Sequence, residues 1–271
     1  MDDANIRRKL QLTELMILKD VANICDENNL KYYLIGGTLL GAVRHHGFIP
    51  WDDDIDIAIL REDYNKLFSI MREKYSNKYF TQTFETEPNY TRYIMKIRLV
   101  GTKHVEEGVA DVGINHGIYL DVFPIDYLKG DNIASKIRGG IFRSLLAYKN
   151  IKHRSNHYKG VKRVVSFAGK LFTFIIPEKL INKLFIRVCE ADNDKKCNYV
   201  TNFASRFKWK KQMYPVEYFG DGVYLDFENC QFRVPNEYIK ILERLFGDYM
   251  KLPPVEKRTA HHIVEVDFGP Y

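Results

Sequence analysis

The chain has 271 residues, of which 45% are hydrophobic and 28% charged, the balance of a globular protein with a buried core. No apolar run reaches the roughly 20 residues that a membrane-spanning helix needs, and the four cysteines lack the spacing of a zinc site. The net charge is +6, and residues 131–190 alone contribute +10, which indicates an anionic partner or simply a solvated basic face.

The periodicity of apolar residues predicts an α+β protein. Helices are expected at residues 6–29, 38–44, 62–75 and 237–246, and across a helical region from 132 to 195. Strands are expected at residues 32–35, 55–60, 77–83, 91–102, 117–126, 199–203, 222–227 and 230–235. No linker is visible, so we predict one catalytic domain, 1–271: a mixed β-sheet core with flanking helices and a basic helical insertion at about 131–195.

A pair of glycines opens the most informative stretch, YYLIGGTLLGAVRHHGFIPWDDDIDIAIL, residues 32–60. Gly36 and Gly37 follow a predicted strand and would let the backbone approach a ligand closely. The helix expected after them would direct unpaired N–H groups and its positive dipole at that ligand. Thr38 could add a hydroxyl and Arg44 a charge, so the sequence predicts a phosphate site here.

Carboxylates in two predicted strands supply a complementary metal site. Side chains alternate along a strand, so Asp54 and Asp56 should share one face. Asp121 lies in the apolar run GIYLDVFPID, where a carboxylate is costly without a partner. A Mg²⁺ or Mn²⁺ ion shared by the three aspartates would satisfy all of them. Lys96 and Arg98, two residues apart on another strand, are expected to contact substrate phosphates.

Each of these features also has an ordinary explanation. Gly36 and Gly37 could form a plain turn, the aspartate run could be a solvated turn, and Asp121 could pair with an arginine. The pairs His45-His46 and His261-His262 resemble metal ligands, but adjacent side chains point apart and both pairs are expected at the surface. The order of strand, glycine pair, helix, D-x-D strand and later strand aspartate is what favours a catalytic site.

Three motifs resemble the signature of the LicD family: YLIGGTLLGAVRHHGFIPWDDDIDIAI, KIRLVGT and GIYLDVFPID. FGDYMKLPP followed by His261 is similar to the family's C-terminal pattern. The resemblance implies a nucleotidyltransferase-like fold. It also implies transfer of phosphocholine from CDP-choline to a sugar hydroxyl of a cell-surface glycan or teichoic-acid precursor, with release of CMP.

The resemblance also assigns roles to residues. Those matching the phosphate-binding turn are Gly36, Gly37 and Thr38; those matching the metal ligands are Asp54, Asp56 and Asp121; and Lys96 matches a lysine expected to face phosphate. Asp121 could instead take the proton of the acceptor hydroxyl. A choline head group needs aromatic contacts, for which Trp51 and Tyr119 are candidates, although Trp51 more often would be a packing residue.

Other readings stay open at this stage. The donor could be CDP-ribitol or CDP-glycerol, or the enzyme could be a nucleotidyltransferase that releases pyrophosphate. A non-catalytic binding module is disfavoured because it would not need three converging carboxylates. No nucleic-acid recognition motif is present. No secretory signal or anchor is visible, so we expect a bacterial cytoplasmic enzyme, with residues 131–190 docking on anionic lipid or holding a lipid-linked acceptor.

Overall fold

The computed structural model describes residues 3–154, 176–195, 197–258 and 263–271. The helices are α1 (Asp3–Glu27), α2 (Gly36–His45), α3 (Arg61–Lys74), α4 (Ile133–Arg154), α5 (Glu178–Glu190) and α6 (Tyr238–Phe246). The strands are β1 (Tyr32–Leu34), β2 (Asp56–Leu60), β3 (Tyr79–Gln82), β4 (Met95–Leu99), β5 (Lys103–Glu106), β6 (Tyr119–Leu128), β7 (Tyr199–Thr201), β8 (Tyr214–Pro215), β9 (Val223–Phe227), β10 (Cys230–Val234) and β11 (Ile263–Asp267). This α+β content agrees with the prediction.

A mixed sheet forms the centre of the molecule, with strand order β1-β2-β6-β4-β3. Strands β2 and β6 run parallel, whereas the other neighbours in this order are antiparallel. The second half of β6 also pairs with β7, which pairs with β8. The long β6 therefore lies at the middle of the sheet, where its apolar residues are buried, and it carries Asp121 into that position.

A single large hydrophobic cluster joins the sheet to the helices around it. Leu10 and Leu18 of α1, Leu39 of α2 and Leu67 of α3 are fully buried in it. Side chains spaced three or four residues apart on each helix supply this apolar face, as the sequence periodicity predicted. The hairpin β9–β10 and helix α6 pack on the same cluster. The helices thereby fix the sheet edge at which β2 begins.

The predicted helical insertion contains α4 and α5, which contact each other around a smaller aromatic cluster. Tyr93 stacks on Phe185 with a centroid distance of 4.8 Å, and Phe142 packs edge-on against Phe185 at 5.3 Å. The middle of the insertion, including the predicted helix at VKRVVSFAGKLF, lies outside the described residues. Within the described residues, none of the helices combines the length and apolar composition that crossing a bilayer requires.

Candidate active site

Three charged residues form a row across the central sheet. Asp56 of β2 is in register with Asp121 of β6, and Lys96 of β4 is in register with Asp121 from the other side. Register partners on neighbouring strands project from the same face of a sheet. Lys96 is buried, with its Nζ 2.9 Å from Asp121 Oδ1. The sheet topology therefore brings together one predicted metal ligand from each of two distant sequence motifs.

The two glycines lie directly against the carboxylates, within the first turn of α2 and not in a turn before it as predicted. Gly36 has a φ of +59°, and a Cβ there would lie 3.0 Å from Asp56 Oδ2. A Cβ on Gly37 would lie 2.6 Å from Asp52 Oδ2, which is closer than real contacts allow. Only glycine permits this approach, so the N-terminus of α2, with its positive dipole, meets the acidic residues.

Thr38 has a role that the sequence did not predict. Its Oγ1 accepts a hydrogen bond of 2.9 Å from the backbone N–H of Asp56, and its side chain is buried. The backbone N–H of Ile35 also donates to the carbonyl of Asp56, at 3.1 Å. These two bonds hold the start of β2 against the start of α2, so Thr38 positions Asp56. A direct contact between Thr38 and phosphate stays a prediction.

The aspartates before β2 form a compact cluster. β2 begins at Asp56, so Asp54 precedes the strand, yet both side chains line the same cavity as predicted. Carboxylate oxygens of Asp52, Asp53 and Asp54 lie within 4.8 Å of one another. The cluster is anchored by Gln11 of α1, whose Nε2 donates to the carbonyl of Asp52 at 2.8 Å. The chain thus concentrates negative charge at one end of β2.

These groups open onto a cavity of about 820 Å³. The predicted site residues that line it are Gly36, Gly37, Arg44, Asp54, Asp56 and Asp121. Asp52 lines it as well, whereas Thr38 and Lys96 lie behind the wall. The structure therefore gathers most of the predicted site around one volume large enough for a nucleotide-sized ligand.

Two arginines place positive charge on the same wall. Arg44 donates from Nη1 to the carbonyl of Tyr249 at 2.9 Å, and burial together with the nearby Arg258 lowers its pKa. Arg92 was missed by the sequence analysis, although it lies four residues before Lys96. Its Nη1 is 3.7 Å from Asp121 Oδ2, and its side chain is 44% exposed. An anionic substrate entering the cavity would meet both guanidinium groups.

Arg98 and Tyr119 correct two sequence-based expectations. Arg98 is buried and donates to the side chain of Gln82 at 2.7 Å and to the carbonyl of Gly117 at 2.6 Å, so the predicted phosphate contact is wrong. Tyr119 is buried, with Lys96 Nζ 3.1 Å and the Arg98 guanidinium 4.9 Å from its ring centroid. His104 also stacks on this ring at 5.4 Å. Tyr119 is therefore covered and cannot receive a choline head group.

The electrostatics of the site favour a bound cation. Burial raises the pKa of Asp56 well above its usual range, and the charges of Asp54, Asp121 and Asp52 raise it further, against the opposing effect of Lys96. Such mutual repulsion is relieved by a divalent ion with oxygen ligands. The carboxylates of Asp54, Asp56 and Asp121 all reach the cavity wall, so the residues present fit Mg²⁺ or Mn²⁺.

A sixth acid, Glu14, lies close to Asp52, Asp53 and Asp54 and was not predicted. It is fully buried on α1, and neither carboxylate oxygen has a hydrogen-bond partner among the described residues. Burial raises its pKa well above the usual range, and Asp54, Asp53 and Asp52 add to the effect. One sequence signal could have found it: Glu14 is four residues from both Leu10 and Leu18, on the apolar side of α1.

This burial predicts a pH dependence of stability. The unfolded chain releases the Glu14 proton near pH 4.3, whereas the folded protein retains it. Above that pH, wild-type protein therefore loses free energy of unfolding relative to Glu14→Gln, by up to about 1.4 kcal/mol per pH unit. Urea unfolding at several pH values in EDTA measures this difference. The exposed Glu27 of the same helix gives the control variant Glu27→Gln, and a pH-independent gap for Glu14→Gln would refute the prediction.

Comparison with known proteins agrees with this geometry. The family model described as LicD/FKTN/FKRP, nucleotidyltransferase domain, matches residues 29–129, which hold β1 to β6 and the site carboxylates on them. The lipopolysaccharide cholinephosphotransferase LicD of Haemophilus influenzae is 33% identical over 267 residues, covering 95% of this chain and 96% of its own length.

More distant relatives match shorter stretches. The human ribitol 5-phosphate transferase FKRP is 46% identical over 43 residues, which is 16% of this chain and 9% of that protein. An uncharacterized protein of Rickettsia typhi is 46% identical over 68 residues. The full-length similarity to the Haemophilus protein, together with the family-model match across the catalytic sheet, shows that this chain belongs to the LicD family.

Proposed function

We propose that this protein transfers phosphocholine from CDP-choline to a sugar hydroxyl of a cell-surface glycan and releases CMP. The observation that carries the proposal is the convergence of Asp54, Asp56 and Asp121 on one cavity wall beside the start of α2. Support for the choice of donor comes from the similarity, over nearly the whole chain, to a lipopolysaccharide cholinephosphotransferase. A lipopolysaccharide or teichoic-acid precursor carried on a lipid would be the acceptor.

The reaction is a displacement at the choline-side phosphorus. The acceptor oxygen forms a new P–O bond, the bond from that phosphorus to the oxygen of CMP breaks, and the hydroxyl proton leaves to a base. A divalent ion held by Asp54, Asp56 and Asp121 would supply Lewis-acid stabilisation of the charge on the diphosphate. Arg92, beside Asp121, and Arg44, farther along α2, add positive charge for the phosphates.

The residues behind the wall keep this arrangement rigid. The Lys96 ammonium, at 2.9 Å, holds the Asp121 carboxylate, and the hydroxyl of Thr38 holds the backbone of Asp56. Gly36 and Gly37, which have no Cβ, would let a phosphate oxygen approach the N–H groups of the first turn of α2. Asp121 would act as a ligand or accept the hydroxyl proton. A preorganised set of charges of this kind is what phosphoryl transfer requires.

Aromatic side chains on another part of the cavity suit the choline head group. Trp51, Phe207, Phe246 and Tyr249 all line the cavity. Arg258 already lies 5.1 Å from the centroid of the Trp51 ring, which shows that this ring can face a cation. Quaternary ammonium groups bind well against such ring faces. Trp51 therefore remains a candidate for choline contact, together with rings that the sequence analysis did not single out.

A second candidate is transfer of ribitol phosphate from CDP-ribitol. The observation that favours it is the 46% identity over 43 residues to the human ribitol 5-phosphate transferase FKRP. The catalytic carboxylates would have the same roles, and only the part of the cavity that holds the alcohol would differ. A nucleotidyltransferase that releases pyrophosphate would use the same fold with a different leaving group.

Calorimetric titration tests the donor. We expect CDP-choline to bind at least about tenfold more tightly with Mg²⁺ than with EDTA, and more tightly than CDP-ribitol, CDP-glycerol or ATP. The ion should strengthen binding because it offsets repulsion between the diphosphate and the aspartates. Equal binding with and without Mg²⁺ would contradict the proposed metal role. Preference for another CDP-alcohol would change the product, and preference for ATP would favour nucleotidyl transfer.

A further inference from the structure

Helix α4 has two faces with different surroundings. Phe142, Leu146 and Asn150 line the catalytic cavity. Ile133, Ile137 and Ile141 are instead 76%, 56% and 42% exposed, an unusual cost for three large apolar side chains at intervals of one turn. At about 100° per residue, Ile133 and Phe142 point to opposite sides of the helix. One helix therefore separates the catalytic cavity from an exposed apolar row.

Basic side chains lie beside this row, and others lie on the neighbouring helix near the far end of α4. Lys136 and Arg143 of α4 are exposed beside it. On the neighbouring helix α5, Leu180 is 48% exposed and is flanked by the exposed Lys179 and Lys183. An apolar stripe with lysines and arginines along its margin is the pattern of a helix that lies in a membrane interface.

The acids of this segment do not offset its positive charge at the surface. Residues 131–190 contain three acids, and each lies in an ion pair: Asp131 with Lys210, Glu178 with Lys152 at 2.9 Å, and Glu190 with Arg61 at 3.5 Å. Residues 155–175, outside the described part of the chain, contain four basic residues and no acidic one. The segment therefore carries a net charge of +10 in its sequence, which is complementary to anionic phosphate groups.

We propose that the α4 docking face, defined as Ile133, Ile137 and Ile141 with Lys136 and Arg143, binds the surface of an anionic lipid bilayer. The isoleucines would enter the headgroup region while the basic side chains contact lipid phosphates. A second copy of the chain is a poorer occupant, since a symmetric contact between two such faces would bring the basic side chains of one copy close to those of the other.

The inference rests on the proposed function in one respect: if the acceptor is linked to a lipid, docking on the bilayer brings the enzyme to its substrate. The acceptor would reach the cavity from the lipid surface by passing one helix, whose diameter is about 10 Å. Docking through the opposite face of α4 would hold the cavity beside the membrane and leave the cavity-lining face of the helix unobstructed.

Co-sedimentation with vesicles tests the docking face in the full chain. Vesicles of equal parts phosphatidylglycerol and phosphatidylcholine are compared with pure phosphatidylcholine, at low and high salt. We expect wild-type protein to bind the anionic vesicles in a salt-sensitive way. Ile133→Asp/Ile137→Asp and Lys136→Glu/Arg143→Glu should each weaken this binding by more than about tenfold. The matched control is Arg72→Glu/Lys74→Glu on the exposed side of α3, which should bind like wild type.

Three results would overturn the inference. Wild-type protein that prefers neutral vesicles or ignores vesicles refutes it, and so does an equal loss of binding in the control. A change in sedimentation velocity showing that the isoleucine variant breaks up a dimer would identify the face as a self-contact. Vesicle binding is measured without turnover. Docking with no phosphocholine transfer would therefore refute the proposed function alone, and transfer without docking would refute only this inference.

Discussion

Replacing Asp56 by asparagine is expected to lower phosphocholine transfer on the order of 10³-fold while the protein stays folded. Asparagine keeps the size of the side chain and removes the charge that would hold a divalent ion. Burial raises the pKa of wild-type Asp56, and the charges of Asp54, Asp121 and Asp52 raise it further, so a charged Asp56 destabilises the ion-free fold. Loss of this charge should leave the melting temperature in EDTA unchanged or higher.

The measurement pairs CMP release with Mn²⁺ binding followed by electron paramagnetic resonance. Asp56→Asn should lose both signals together, whereas the exposed Asp226 of β9 provides the control variant Asp226→Asn, which should keep both. Near-normal transfer by folded Asp56→Asn protein would show that Asp56 holds no essential ion. Retained Mn²⁺ binding with lost transfer would place the ion on other carboxylates, such as the cluster of Asp52, Asp53 and Asp54.

Asp121→Asn tests the metal site less directly than Asp56→Asn does, because Asp121 also forms a buried ion pair. Lys96 is buried with Asp121 at 2.9 Å, so the substitution would leave an ammonium without its counter-charge. Removing one partner of a buried ion pair commonly costs about 3–5 kcal/mol. Lost activity in that variant would mix a chemical effect with a folding defect, and for this reason Asp56 is the better probe of the metal site.

The site could be predicted from the sequence where local pattern decides the geometry. Alternating isoleucines identified β2, and the isolated aspartate in an apolar run identified Asp121 as a paired residue. The register that places Asp56 opposite Asp121 could not be predicted, because strand pairing depends on contacts 65 residues apart along the chain. The same limit explains Lys96: its position on a strand was predicted, whereas its burial against Tyr119 was not.

Errors at element boundaries had local causes. Gly36 has a φ of +59°, a value that sequence rules associate with a turn. α2 nevertheless begins at Gly36, because the Thr38 hydroxyl in its first turn accepts a hydrogen bond from the backbone N–H of Asp56. Arg92 and Glu14 were missed because each belongs to the site only through tertiary packing. Charge alone does not distinguish a cavity-lining arginine from a surface one. The position of Glu14 on the apolar side of α1 was the one available signal.

The second large effect concerns the fold. Replacing Asp126 by alanine is expected to lower the free energy of unfolding by about 3–5 kcal/mol. Arg61 donates from Nε and Nη2 to the two carboxylate oxygens of Asp126, both at 2.8 Å, and the two side chains are 9% and 1% exposed. Asn193 donates a further bond of 2.9 Å to the same carboxylate. The variant would leave the Arg61 guanidinium buried without the carboxylate that accepts two of its hydrogen bonds.

Urea unfolding of a double-mutant cycle measures this effect. Arg61→Met and Asp126→Leu should each be strongly destabilising, whereas the double variant should recover much of the loss, since apolar residues can replace a buried pair. The control lies on the same helix: Lys66 and Glu62 pair at 2.8 Å on the surface, so Lys66→Met should be far less destabilising. A loss at Asp126 no larger than that of the control would refute the structural role.

The two aspartates of GIYLDVFPID are expected to have different roles: Asp121 in catalysis and Asp126 in folding. Asp121 and Asp126 are five residues apart on β6, so their side chains project from opposite faces of the sheet. Asp126 ties β6 to the first residue of α3, away from the cavity that Asp121 lines. Folded Asp126→Ala protein should therefore keep near-normal transfer at a temperature below its melting point. Inactive but fully folded Asp126→Ala protein would contradict this division between catalysis and folding.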